Sequence, residues 1–137
     1  MKIVFAVAVT ALLFFSWSCT KHKITNEKIE GKWGIISLSS TGIRQYFLYT
    51  DTPTIHFNTV AKTIEGRTFC NTYTGKFKIK NRDISFHDIV ATENPCKNDS
   101  DGGIFYILNH ASNITFEGPN RMYVNYRDWF IECVRPN

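Results

Sequence analysis

Residues 69–80 read Phe-Cys-Asn-Thr-Tyr-Thr-Gly-Lys-Phe-Lys-Ile-Lys, and they carry the most regular strand pattern in the chain. Tyr73, Phe77 and Ile79 alternate with threonine and lysine, so one face of the strand is apolar and the other is polar or cationic. Turn-forming residues at 81–82 join this strand to a second one with a similar alternation. The pair predicts a β-hairpin with one solvated face, as found in antiparallel sheets.

Short segments rich in β-forming residues continue on both sides of this hairpin and are separated by turn residues. The sequence predicts further strands at residues 29–38, 44–50, 54–58, 63–69, 113–116, 122–126 and 128–134. Gly66 lies inside one of them and indicates a bulge or a close approach of another segment. About eight short strands predict a mainly β protein, folded as a small, compact, barrel-like antiparallel sheet.

One short helix is predicted late in the chain. Its apolar residues share one face at helical spacing: Ile104, Phe105, Ile107, Leu108 and Ala111. Ser100 or Asp101 can cap its first turn by accepting a hydrogen bond from a free backbone N–H. Gly102 and Gly103 weaken that turn, so the helix is expected to depend on packing against the sheet.

Length and charge limit the classes of protein to consider. The chain has 137 residues, of which 43% are hydrophobic and 20% are charged. This suits one globular domain, which we place at residues 29–135, and leaves no room for a second core. The net charge of +4 is small, and the lysines are scattered along the sequence. Nucleic acid is therefore not expected as a partner.

The N-terminus has the pattern of an export signal. Lys2 precedes an uncharged apolar segment at residues 3–15, which is shorter than the roughly 20 residues that a membrane-spanning helix needs. We predict a signal peptide at residues 1–18. Two modes of cleavage fit this pattern: small residues before position 19 suit an ordinary signal peptidase, whereas Cys19 directly after the apolar segment resembles a bacterial lipobox.

The lipobox interpretation makes Cys19 the acylated N-terminus of the mature protein. Acyl chains such as palmitate bury many methylene groups in a bilayer, at about 0.8 kcal/mol each. Residues 20–28 contain one apolar residue and no periodicity, so we predict a lipidated cysteine and flexible tether at residues 19–28. The sequence thus predicts a cell-envelope protein that a lipid anchor attaches to a membrane, with the outer membrane as the expected location.

The cysteines lie at positions 19, 70, 96 and 133, and an exported chain can keep disulfides. Cys70 and Cys96 fall at strand ends or in loops, where the backbone can adopt disulfide geometry, and we predict that they pair. Cys133 shares a strand face with Trp129 and is predicted to be a buried apolar residue. If Cys19 carries no lipid, a second bridge between Cys19 and Cys133 remains open.

Motifs for catalysis or metal binding do not stand out in the sequence. A thiol nucleophile at Cys70 or Cys96 would need a nearby base, and His56 and His87 occupy outward strand positions. The four histidines lie at no metal-binding spacing. Phosphate-binding glycine loops and serine-nucleophile motifs do not occur in the sequence. No catalytic residue, metal ligand or cofactor is predicted.

Residues 66–77 resemble the Gly-Cys-Asn-x-Tyr-x-Gly-x-Tyr signature of the META/HslJ-like domain family. Residues 89–96 are similar to the Ile-Ala-x-Thr-x-x-x-Cys segment that follows in that family, and the helical pattern comes next in the same order. The family-motif positions are Cys70, Asn71, Tyr73, Gly75, Thr92 and Cys96. Phe69 stands where the family usually has glycine, so the turn at Cys70 is expected to differ in detail.

The resemblance implies a compact β-barrel-like domain of secreted or envelope proteins, often lipoproteins, with no agreed enzymatic activity and no catalytic residues. We therefore expect a non-enzymatic envelope lipoprotein whose domain binds an envelope protein. A link to envelope stress comes only through association with the family. Two alternatives stay open: a lipocalin-like binder of a small apolar ligand, suggested by Gly31-Lys32-Trp33, and a thiol enzyme acting through Cys70 or Cys96.

Overall fold

The computed structural model describes residues 23–47, 49–96 and 100–137. The strands of this part, in chain order, are β1 (Gly31–Ser40), β2 (Ile43–Tyr46), β3 (Thr54–Asn58), β4 (Thr63–Arg67), β5 (Thr72–Lys80), β6 (Asp83–Ala91), β7 (Asn113–Phe116), β8 (Arg121–Tyr126) and β9 (Trp129–Val134). Two helices, α1 (Asn26–Ile29) and α2 (Ser100–His110), and a 3-10 turn at Tyr49–Asp51 complete the regular elements.

The strands form one antiparallel sheet that closes on itself. β3 to β9 follow one another in chain order, and β1 pairs with β3 on one edge and with β9 on the other. This closes an eight-stranded barrel, outside which β2 pairs with the second half of β1. The prediction of a mainly β, barrel-like antiparallel sheet with one helix late in the chain is confirmed.

An irregularity in β1 decides which residues of the barrel wall face outward. The register with β9 shifts between Ile35 and Ser37, as at a β-bulge. Ile35 pairs with Cys133 ahead of the bulge, and both side chains are fully buried in the barrel. Beyond it Ser37 pairs with Glu132. Because neighbours along a strand point to opposite faces, Glu132 lies on the outer face of the barrel.

Side chains fill the interior of the barrel. Trp33, Phe57 and Phe77 are fully buried, and the ring centroids of the two phenylalanines lie 5.4 Å apart in an edge-on contact. The indole N–H of Trp33 donates a hydrogen bond to the carbonyl of Ile29 at the end of α1, at 2.9 Å. This bond satisfies the polar group of the buried tryptophan.

Helix α2 packs where the barrel wall is weakest. β6 and β7 share a single residue pair, Asp83 with Asn113, and α2 contacts β6, β8, β9 and β1. A Cβ atom added at Gly103 would lie 2.6 Å from Leu38 Cδ2, so this glycine lets the helix approach β1 closely. No described helix is long and apolar enough to cross a membrane.

Two boundaries differ from the sequence predictions. Ile24 is only 6% exposed, and its N–H donates to the carbonyl of Asn81 at 2.9 Å, so the later part of the predicted tether packs on the barrel with α1. Residues 20–22 of that tether lie outside the described residues. The aromatic segment 44–50 leaves the sheet after Tyr46, because Phe47 turns into the core and packs edge-on against Phe69 at 4.9 Å.

Gly66 is a position where the packing forbids a side chain. An added Cβ would lie 2.1 Å from the carbonyl oxygen of Thr54 and 2.7 Å from the ring of Tyr73, whose hydroxyl donates to that same carbonyl. We expect Gly66→Ala to lower the free energy of unfolding by about 1–3 kcal/mol in urea denaturation, as overpacking does. Gly102→Ala is the control, since no atom beyond its chain neighbours and its own helix backbone lies within 4 Å of its added Cβ. An unchanged stability of Gly66→Ala would contradict the packing.

Candidate functional site

A polar and aromatic surface covers the outer face of four neighbouring strands, β2, β1, β9 and β8. Arg44 and Tyr46 come from β2, opposite Ser39 and Ser37 of β1, and the register continues into β9 and β8. We call it the Glu132 surface, and its members are Ser37, Arg44, Tyr46, Arg121, Tyr123, Phe130 and Glu132. The cross-strand pairing brings residues together that are distant in the sequence.

A buried carboxylate lies at the centre of this surface. Glu132 is 1% exposed although it points out of the barrel. One of its oxygens accepts hydrogen bonds from the Ser37 hydroxyl, at 2.8 Å, and from the Arg44 guanidinium, and the other accepts from Arg121. The Ser37 hydroxyl also accepts a bond from Arg44 Nε at 3.2 Å. Such full pairing is what burial of a charge requires.

The two arginines remain charged in this arrangement. Burial opposes the charge of Arg44, but the hydrogen bond and the negative charge of Glu132 prevail and raise the pKa of Arg44. A hydrogen bond with Tyr123, followed by the charge of Glu132, raises the pKa of Arg121. Burial raises the pKa of Tyr123, as does its hydrogen bond to the Glu117 carboxylate at 2.8 Å.

Aromatic rings frame the arginines. The Arg44 guanidinium lies 5.0 Å from the ring centroid of Tyr46 and 5.4 Å from that of Phe130, within the range of cation–π contacts. Tyr123 packs edge-on against Phe130 at 5.7 Å. Tyr46 itself is 66% exposed. Tyrosine and arginine are among the residue types that dominate the energetics of protein–protein interfaces.

Sequence reasoning missed this surface. The alternation of Trp129, Ile131 and Cys133 places Glu132 on the outer face, where a carboxylate is normally solvated. Its burial depends on Arg44, 88 positions away, and on the β1 bulge, which one strand's pattern does not reveal. The only signal in the sequence was the outward glutamate itself among apolar neighbours.

Cys70, Asn71, Thr92 and Cys96 of the family motif lie together at the end of the barrel where α2 begins, while Tyr73 and Gly75 follow within β5. Cys70 and Cys96 form the predicted disulfide, with their Cα atoms 5.6 Å apart. The side-chain oxygen of Asn71 accepts hydrogen bonds from the Thr92 hydroxyl at 3.0 Å and from the Asn94 N–H at 2.7 Å. The motif thus links the start of β5 to the segment after β6.

Asp101 completes this link from inside α2. The sequence assigns Ser100 or Asp101 to a helix cap, but both lie within the helix. The Asp101 carboxylate accepts hydrogen bonds from the Thr68 hydroxyl, from the Phe69 N–H at 2.9 Å and from the Asn71 side chain at 3.1 Å. It therefore binds the turn that precedes β5.

Phe69 fits this turn without glycine's backbone angles. The described non-glycine residues with positive φ are Thr41, Lys62, Asn81, Asp88 and Arg127, so Phe69 keeps an ordinary conformation. Its ring packs on Phe47 and its N–H is bound by Asp101. The structure thus accommodates phenylalanine here by packing its ring against the core.

The geometry of the motif favours an architectural role. The sulfur atoms of Cys70 and Cys96 and a carboxylate oxygen of Asp101 lie within 4.8 Å of one another, but the two sulfurs are bonded to each other. In this oxidised state neither sulfur is a thiolate, the form that acts as nucleophile or metal ligand. His56, considered above as a base, contacts the exposed Glu65 carboxylate at 3.1 Å instead.

Cys133 is a free thiol that should not react. It is fully buried, and burial raises the pKa of its thiol. We expect iodoacetamide to leave Cys133 unmodified in the native protein and to modify it after unfolding in urea, because the thiolate is the reactive form. Peptide mass spectrometry measures the modification. Native labelling at the rate of an exposed thiol would show that β9 is not packed as described.

The structure therefore defines a small closed β-barrel domain with a packed interior, a disulfide-linked motif and a polar outer surface. The family model described as META domain matches residues 25–128, and the chain belongs to the META domain family. The resemblance read from the sequence is thus confirmed. A comparison with curated proteins gives no significant match.

Solved structures show the same fold at low sequence identity. A protein from Burkholderia xenovorans, solved by NMR, is 17% identical, with a TM-score of 0.67 over 81% of this chain and 86% of its own. A DUF4847 family protein from Bacteroides vulgatus, solved by crystallography, is 12% identical, with a TM-score of 0.60 over 79% of this chain and 94% of its own. These similarities concern the fold alone.

Proposed function

We propose that this protein is a non-enzymatic envelope lipoprotein whose META domain binds another envelope protein through the Glu132 surface. The observation that carries the proposal is the pairing of a buried carboxylate with two arginines, one of which, Arg44, lies 5.0 Å from the ring centroid of the exposed Tyr46. Holding long charged side chains in one conformation before binding reduces the entropy that binding costs. The side chains of the Glu132 surface are therefore already held in the conformation that a partner would bind.

The charges of the surface indicate the chemistry of that partner. Arg44 and Arg121 together carry two positive charges, and the buried Glu132 compensates one of them. The exposed Glu117 carboxylate lies 3.8 Å from Arg121 and accepts a hydrogen bond from Tyr123, and a carboxylate of the partner would take its place at Arg121. The partner is therefore a protein that presents a carboxylate to the arginines and an apolar side chain to Tyr46.

The packed interior counts against the ligand-binding alternative. A lipocalin-like binder needs an open cavity inside the barrel, whereas here large residues such as Trp33, Phe57 and Phe77 fill that space. The larger described clefts lie between surface residues, as does the one of about 610 Å³ beside Lys32 and Arg135. The Glu132 surface is therefore a better candidate for the functional site than the interior of the barrel.

Site-specific crosslinking in intact cells tests the protein partner. A photoreactive residue at position 46 is expected to crosslink one envelope protein, and Arg44→Glu in the same chain is expected to abolish that product. The matched control carries the photoreactive residue at Val90, which is 69% exposed near the end of β6. A product at position 46 that persists with Arg44→Glu, or forms equally from position 90, would refute the Glu132 surface as the binding site.

The proposal of a lipid anchor is supported by the sequence alone, because Cys19 lies outside the described residues. Its support is the apolar segment 3–15, which ends shortly before a cysteine. Cys19→Ala is expected to move the protein from the membrane fraction to the soluble envelope fraction, because several acyl chains would be lost. If the variant still sediments with membranes, the lipoprotein proposal fails.

A further inference from the structure

We propose that one end of the barrel is a membrane-docking surface that binds the anionic phospholipid headgroups around the protein's own lipid anchor. This end carries α1, the β3–β4 turn and the β5–β6 hairpin. We call it the basic end, and its cations are Lys23, Lys28, Lys62, Lys78, Lys80 and Arg82. The inference rests on the proposed acylation of Cys19.

The cations of the basic end lie around a connected set of clefts. Lys23, Lys62 and Lys78 line a groove of about 530 Å³. Lys23 also lines the neighbouring cleft with Lys28 and Arg82, and Lys78 lines the next one with Lys80. The positive charges are therefore neighbours in space, although the sequence scatters them over 60 positions from Lys23 to Arg82.

None of these six cations forms an ion pair with a carboxylate of the described chain. Elsewhere on the barrel the pattern differs, since Lys76 pairs with Asp88 at 3.0 Å and Arg67 pairs with Asp51 at 2.9 Å. The acidic residues at the basic end are the exposed Glu27 and Asp83, together with Glu30, which binds Thr59. The balance of charge at this end is positive.

The floor of the groove consists of apolar residues that are buried or half-buried. Ile24, Phe77 and Ile79 line it together with the three lysines. The Lys62 ammonium lies 5.8 Å from the centroid of the Phe77 ring and 3.2 Å from the side-chain oxygen of Asn26. The exposed groups of the groove are thus its cations, which suit phosphate headgroups rather than acyl chains.

The path of the chain places this end at the bilayer. Ile24 is docked on the β5–β6 hairpin through Asn81, so only the links from Cys19 to Lys23 separate an acylated cysteine from the folded domain. Four extended links span at most about 14 Å. Electrostatic attraction to the membrane surface acts over a Debye length of about 8 Å at physiological salt. An anchor at Cys19 therefore holds the basic end within or next to the range of the anionic surface.

Lysine footprinting on vesicles tests this orientation. The mature acylated protein is reconstituted into vesicles of phosphatidylcholine alone or of equal parts phosphatidylcholine and phosphatidylglycerol, and amine acetylation is followed by mass spectrometry. We expect Lys23, Lys62, Lys78 and Lys80 to react at least about threefold more slowly on the anionic vesicles. Lys32 and Lys76, on the barrel wall, should react equally on both, and high salt should remove the difference.

A charge-matched pair of variants isolates the basic end. Combining Lys78→Glu, Lys80→Glu and Arg82→Glu is expected to abolish the protection of Lys23 and Lys62. The control combines Lys32→Glu, Arg67→Glu and Lys76→Glu, which changes the net charge equally at exposed positions elsewhere. This control is expected to keep the protection.

The outcomes separate the two proposals. If the intact mass shows that the chain is acylated but the lysines of the basic end are not protected, the docking surface is overturned and the lipoprotein proposal stands. Equal protection of Lys32 and Lys76, or protection that survives the basic-end substitutions, also overturns it. A mature chain whose mass shows no acyl group at Cys19 overturns both proposals.

Discussion

Replacing both Arg44 and Arg121 by methionine is expected to lower the free energy of unfolding by about 3 kcal/mol, because the methionine side chains still cover the Glu132 carboxylate but leave it without a cation. Glu132 is 1% exposed, whereas the arginine side chains are 34% and 45% exposed. The cost therefore falls on the carboxylate, whose remaining described side-chain partner is the Ser37 hydroxyl. Urea denaturation at neutral pH measures the loss.

The same variants also give a test that does not depend on the absolute free energy of unfolding. Adding Glu132→Gln to the double arginine variant is expected to restore about 1 kcal/mol or more, because burying an amide costs less than burying a charge. In the otherwise native chain Glu132→Gln should destabilise, since it removes a charge that is paired. Glu117→Gln is the matched control, because Glu117 is the exposed carboxylate that pairs with Arg121. It should change the free energy of unfolding by less than about 0.5 kcal/mol. Additive effects of the arginine and glutamate substitutions would contradict the network.

Removing the disulfide with Cys70→Ser and Cys96→Ser is expected to lower the free energy of unfolding by about 3.5 kcal/mol. The two cysteines are 26 positions apart, and the loop-entropy relation gives this value for a loop of that length. A loss of this size is a large part of the 5–15 kcal/mol by which folded proteins are typically stable. The expected midpoint in urea is correspondingly lower, with the slope of the transition measured in parallel.

A reductant distinguishes this effect from damage caused by the serine side chains. Dithiothreitol should lower the midpoint of the wild-type protein and leave that of the double serine variant unchanged. Cys133→Ala is the matched control, because it removes a buried thiol that takes no part in the bridge and should keep the sensitivity to reductant. Insensitivity of the wild type to complete reduction would show that the bridge does not stabilise the fold.

Local patterns predicted the parts of this fold that depend on neighbours in sequence. The alternation at Tyr73, Phe77 and Ile79 corresponds to residues of β5 that are buried or half-buried, and the helical spacing of Ile104, Ile107 and Leu108 corresponds to the buried face of α2. Both periodicities arise because each element buries one face. Family resemblance then supplied the order of the remaining elements.

Features that depend on distant residues could not be read in the same way. The docking of Ile24 depends on the β5–β6 turn, where the carbonyl of Asn81 accepts its N–H, and this turn is distant in the sequence. Glu132 became a buried group only because Arg44 and Arg121 cover it from other strands. Sequence periodicity reports which face a residue takes but not what covers that face.

Closure of the barrel through β1 and β9 determines the order in which the domain can fold. Ser37 and its partner Glu132 are 95 positions apart, so the strand that is synthesised first finds its second neighbour only when the strand that is synthesised last has emerged. Contacts of such separation are formed slowly, because a long loop must be closed before the pairing compensates for it. A chain interrupted before β9 leaves open edges on both β1 and β8, which are templates for aggregation. Emergence of β9 is thus the step that closes the barrel.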